Sequence, residues 1–143
     1  MTYNQRQPTG GGGVRPRAQE SQLTHTAMTQ YYDPQGHLRR EVFIDWPQYL
    51  ARILNVSRSN LRRTFDHVAA LRFRIQMGES ADSVLKPGIP QLHRFAQYQW
   101  GRKVIGDETR NFIQCHCNAV GYDKAKFEGF YQLFQSVMAY LPR

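Results

Sequence analysis

The sequence predicts an all-α fold: a small bundle of about five helices behind a disordered N-terminal leader. Three observations predict it. Apolar residues recur at intervals of three and four along several segments. Runs of β-branched residues are few. Ser, Asp, Gly and Pro stand between the periodic segments, where helices start and stop. At 143 residues the chain is one domain, or one domain with a tail, and can bury a core without staples. The expected division is a leader over 1–30 and a single helical domain over 31–143.

The leader contains Thr9-Gly10-Gly11-Gly12-Gly13, which cannot hold a regular element cheaply. Arg6, Arg15 and Arg17 make it mildly basic. Tyr31-Tyr32-Asp33-Pro34-Gln35-Gly36 carries a turn signal. Arg39 to Ile44 reads either as part of a small hairpin or as an irregular stretch held by Tyr31, Phe43 and Ile44. Asp45-Trp46-Pro47 reads as a helix start, with Asp45 as cap and Pro47 in the first turn. That short helix reaches about Leu54 and presents Tyr49, Leu50 and Ile53.

Ser57 is the best helix cap in the chain, flanked by Val56 and Leu61 at the positions of a hydrophobic staple. The helix it opens runs to about Gly78 on the stripe Leu61, Phe65, Val68, Arg72, Ile75, widened by Leu71. Its first two turns carry Arg58, Arg62 and Arg63. Cations there oppose the helix dipole, so folding alone does not ask for them. A helical turn over Ala81 to Lys86 should be broken by Pro87, Gly88 and Pro90. A second long helix then starts near Pro90 on the spine Leu92, Phe95, Ala96, Gln99, Trp100. Asp107 caps a helix over Glu108 to Val120, ended by Gly121. Asp123 caps the last helix, where Phe127, Phe130, Tyr131, Phe134, Val137, Met138 and Leu141 repeat at three and four. This aromatic face supplies the core, with any excess seating a neighbour.

The formal charge is +8, which points to nucleic acid or another polyanion. The charge is uneven: nine Lys or Arg stand against three acids from Arg58 to Lys103, and four against four from Asp107 to Arg143. The two cysteines, Cys115 and Cys117, are too close for an ordinary bridge. No signal peptide and no long apolar run is visible. These features place the expected protein in the cytoplasm, away from membranes.

Cys115-His116-Cys117 has zinc-ligand chemistry, but three consecutive helical residues point about 100° apart and no second pair completes the set. No metal or other cofactor is expected. His67 and His93 are the only histidines that suggest an acid–base pair, and nothing in their spacing supports one. The scattered acids form no nuclease pattern. Nucleic-acid binding uses the residues better. Arg58, Arg62 and Arg63 are guanidinium forks for phosphates, and Lys86, Arg94, Arg102 and Lys103 extend the same field. Tyr98 and Trp100 lie beside Arg102; Tyr98 suits an exposed ring and Trp100 a core one.

At this point the chain resembles the small-subunit family of type III-A CRISPR interference (Csm) ribonucleoprotein complexes. The resemblance covers about Ser57 to Leu141. It rests on Asn60-Leu61-Arg62-Arg63-Thr64-Phe65, Leu85-Lys86-Pro87, and Tyr98-Gln99-Trp100-Gly101-Arg102, which is similar to the family's Tyr-Ala-x-Gly-Arg. Phe127-Glu128-Gly129-Phe130 and Phe134-Gln135-Ser136-Val137-Met138-Ala139-Tyr140 complete it. The resemblance implies a non-catalytic subunit whose copies stack along guide RNA and single-stranded target RNA beside the other subunits. It also implies Arg62, Arg63 and Arg102 as RNA contacts, with Arg58 and Lys103 as neighbours. The type III-B small subunit is a sister reading. A DNA-binding helix-turn-helix regulator is another, with Asp45 to Leu54 and the helix after Ser57 as its two helices.

Overall fold

The computed structural model describes residues 18–142. Most of the expected leader, residues 1–17, lies outside the described residues. Over the rest of 1–30 the expectation is corrected, because the chain is already helical. The elements are α1 (Ala18–Ala27), α2 (Arg40–Phe43), α3 (Asp45–Ile53), α4 (Arg58–Gln76), α5 (Ala81–Gly101), α6 (Asp107–Val120) and α7 (Lys124–Tyr140). Helix α1 was invisible to an apolar reading because its inward side chains are polar. Ser21 and His25 are buried and both meet Glu108 on α6: Ser21 Oγ donates to Glu108 Oε1 at 2.9 Å, and His25 Nε2 lies 3.1 Å from the same oxygen.

The turn at 33–36 forms as expected. Asp33 Oδ1 accepts from the amides of Gln35 and His37, and Gly36 takes a positive φ of 87°. Only one antiparallel bridge, Tyr32 to Leu38, survives of the hairpin alternative, and Arg40–Phe43 is a helical turn. Ser57 caps α4 by accepting from the Asn60 amide at 3.1 Å, and Asp123 caps α7 through Lys126 at 2.9 Å. The other two caps are corrected. Ile44 and Gly106 hold the cap positions of α3 and α6. Asp45 instead accepts from Arg40 at 3.3 Å, and Asp107 from Trp100 Nε1 at 2.7 Å.

The largest departure is α5. It is one helix from Ala81 to Gly101, with Pro87 and Pro90 inside it. An interior proline costs a helix about 3 kcal/mol. Here Val84, Leu85, Ile89 and Leu92 are all essentially buried, each contributing about 1.5–3 kcal/mol. Both prolines face solvent. Gly88 is not a break but a contact: a Cβ there would lie 2.7 Å from the Leu71 side chain, so α4 and α5 approach closely at this point.

Helix α7 is the centre of the bundle. It packs against α2, α3, α4 and α6, while α5 joins α4 to α6 and α1 rests on α6. Phe127, Phe130, Leu133, Phe134 and Val137 are fully buried, and Gly129 and Tyr131 close the rest of its surface. A helix covered on most sides is a core helix. Its aromatic excess is therefore used inside the fold, and only Tyr140 of its large apolar residues stays exposed.

Candidate nucleic-acid interface

Helices α4 and α5 form an antiparallel hairpin. Helix α4 ends with Gly78 at φ 110°, and Ser80 caps α5 two residues later by accepting from Ser83. The far end is closed by Asn60, whose Nδ2 donates to the Val104 carbonyl at 3.3 Å. The start of α4 therefore lies beside the end of α5.

The nine basic residues of Arg58 to Lys103 part into three groups on this hairpin. Four are ion-paired. Arg62 Nε lies 3.4 Å from Asp66, Arg72 forms two bonds to Glu128 at 2.8 and 3.1 Å, Arg74 forms two to Glu79, and Lys86 lies 3.3 Å from Asp82. Arg72 also covers the Tyr131 ring at 4.2 Å. Arg58 is turned into the fold: its Nη2 donates to the Leu141 carbonyl at 2.7 Å, and its Nε is buried without a partner. It ties α4 to the end of α7. Arg63, Arg94, Arg102 and Lys103 remain exposed with no acidic partner among the described residues.

Arg94 lines a groove of about 270 Å³ with His67, Gln91, Phe95 and Tyr98, Arg102 borders it through Tyr98, and Lys103 lines a separate hollow with Asn55, Trp100 and Val104. Side chains three and four apart on a helix are neighbours. Arg63 stands between Asn60, which meets Val104 just past α5, and His67, which meets Phe95 on α5. The His67 and Phe95 rings lie 4.5 Å apart by centroid, and Phe95 and Tyr98 lie 6.5 Å apart with planes 27° from parallel. Arg102 Nη1 donates to Tyr98 Oη at 2.9 Å and sits 5.5 Å from the ring centroid. Tyr98 is 54 % exposed.

Lys103 has an unusual backbone. Its φ is 64°, its amide donates to Trp100, and the Val104 amide donates to Gln99. This pair of bonds is the usual glycine-containing helix ending, with lysine in the left-handed position. Such a conformation is rarely kept without a use.

Two expected contacts lie elsewhere. Arg62 is about 100° around α4 from Arg63, on the outer flank with Asp66. Lys86 is sixteen residues before Arg102, roughly 24 Å along α5. His67 and Phe95 were not among the expected site residues. Their signal was spacing alone, since Phe95, Tyr98 and Arg102 share one stripe of α5. Trp100 is corrected as a core residue. It lies at the surface, bonded to Asp107 and covered by Arg110 at 4.2 Å.

Among the described residues, neither His67 and His93 nor Cys115, His116 and Cys117 point to a common site. His93 lies two residues from Phe95, on the other side of α5, away from His67. Cys115, His116 and Cys117 diverge. Cys115 Sγ lies 3.5 Å from Thr26 Oγ1, and His116 Nδ1 meets Tyr31 Oη at 2.5 Å. Burial pushes the Cys117 thiol up to about 12 and holds His116 down to about 3, so both are neutral. Among the described residues no three His, Cys, Asp or Glu side chains converge as a metal site requires. No helix among them is long and apolar enough to cross a membrane.

The family model described as Csm2 Type III-A matches residues 40–141, more than half of the chain. No curated protein and no solved structure matches.

Proposed function

Because the chain belongs to the Csm2 Type III-A family, and is thus a type III-A CRISPR complex subunit that associates with other Csm subunits, we propose that it holds RNA there without cutting it. One observation carries this reading: four of the nine basic residues in the middle of the chain have no acidic partner among the described residues, and Arg94 lines a groove that Arg63 and Arg102 flank beside His67 and Tyr98. Guanidinium and ammonium groups on phosphates bind any sequence, with an affinity that falls as salt rises. Arg63, Arg94, Arg102 and Lys103 supply that grip to guide RNA or single-stranded target RNA. The rigid α4–α5 hairpin fixes their spacing.

The outer flank of α4 serves protein contacts. Phe73 and Met77, one turn apart near the end away from the groove, are among the most exposed large apolar side chains. They offer a surface to a neighbouring subunit or a stacked copy. The regulator reading loses ground on Arg58. A recognition helix needs its first turn free for the major groove, and Arg58 fastens the first turn of α4 to Leu141.

The test is the double reversal Arg63→Glu with Arg102→Glu, in the chain co-purified with the other subunits. The complex should assemble with unchanged helix content. Its affinity for unrelated RNA sequences should fall by a similar factor, at least roughly tenfold at low salt. Undiminished binding, or a loss confined to one sequence, refutes the proposal.

A further inference from the structure

We propose that the groove between α4 and α5 is a stacking site for one unpaired base, with the adjacent phosphates held by the cations at its rim. The inference rests on the RNA reading above and names what the groove itself takes. Phosphate binding explains the cations but not the rings. His67, Phe95 and Tyr98 form a short aromatic row that ends on the exposed ring of Tyr98. Tyr98 is held in place before any ligand arrives, because Arg102 bonds its hydroxyl and lies over its face. A fixed ring loses little freedom when a base stacks on it.

The size agrees. At about 270 Å³ the groove falls just below the usual range for small-molecule pockets, about 300–1,000 Å³, and suits a single flat ring system. Gln91 adds an amide at the wall that can face any base edge. A carboxamide both donates and accepts, so Gln91 does not select one base by itself. Arg94 stands on the same wall, and Arg102 lies one turn beyond Tyr98. A strand that places a base on Tyr98 therefore meets a cation on either side. Basic rims disfavour a cationic peptide as the occupant.

The experiment compares a short oligouridylate with an abasic strand of the same length, bound to the full chain. Both carry the same phosphates. The natural strand should bind about 5- to 100-fold more tightly. Tyr98→Leu should abolish that difference and leave abasic binding and its salt dependence unchanged, while Tyr98→Phe should keep most of it. Tyr98 is exposed, so neither change threatens the fold. Equal affinity for the two strands in the unaltered chain, with salt-sensitive binding retained, overturns the stacking site and spares the phosphate reading. Failure of both strands to bind overturns both. A Tyr98→Leu chain that binds RNA normally but no longer joins the complex makes the groove a protein contact instead, and also overturns the proposal.

Discussion

Replacing Lys103 with glycine should make the protein more stable and a weaker binder at the same time. Lys103 occupies the left-handed position that ends α5, at φ 64°. A side chain there costs about 1–2 kcal/mol. Glycine removes that strain but adds about 0.4–1 kcal/mol of freedom to the unfolded chain. The net gain is about 1 kcal/mol, or a rise in melting temperature of about 3–4 °C for a chain of this size. The same change deletes one of the four cations that have no acidic partner among the described residues, which should reduce the salt slope of single-strand binding by about 0.7. Lys103→Ala is the control: it loses the same cation but keeps the strain, so its stability should stay near that of the unaltered chain. Urea unfolding at constant m-value measures the first effect, and binding at several salt concentrations the second. A Lys103→Gly chain no more stable than Lys103→Ala would refute the backbone argument.

Two further predictions concern the core. A Cβ at residue 129 would run into the Tyr31 ring, so Gly129→Ala should destabilise by about 1–3 kcal/mol in urea unfolding; Gly101→Ala, where an added Cβ meets nothing within 4 Å, should be neutral or slightly stabilising. Acid should weaken the fold well before the carboxylates titrate. Burial lowers both His25, partly opposed by Glu108, and His116, which falls to about 3. The unfolded chain takes up protons as pH drops through about 6.5 and the folded chain does not, so stability is full above that value and falls below it. His116 alone should remove about 2 kcal/mol by about pH 5. An unfolding midpoint that stays flat between about pH 7 and about pH 5 would contradict this.

Elements with local causes were legible in the sequence. Helix α4 begins at Ser57 because a hydroxyl three residues from the Asn60 amide closes its own bond. Helix α7 was visible through its aromatic period and Asp123. Two of the misreadings share one feature: the deciding partner is remote in sequence. Pro87, Gly88 and Pro90 carry a local stop signal, which the burial of Val84, Leu85, Ile89 and Leu92 overrides. Helix α1 has little apolar period, and its hold is a polar one on Glu108, 83 residues beyond His25.

The groove was half legible. Arg94, Tyr98 and Arg102 were recognisable as residue types and Phe95 shares their helix, while His67 joins them only through the α4–α5 crossing. By itself the amino-acid order determined that the chain is helical and that its middle is basic, since period, caps and charge counts are properties of neighbours in sequence. Helical spacing alone sets Arg62 beside Asp66 and Lys86 beside Asp82, but only the tertiary structure decided what Arg72 and Arg58 meet. Arg72 finds Glu128 across 56 residues and Arg58 finds the Leu141 carbonyl across 83. Whether a charge is neutralised depends on what packing brings within about 3 Å of it, and no count along the chain contains that distance.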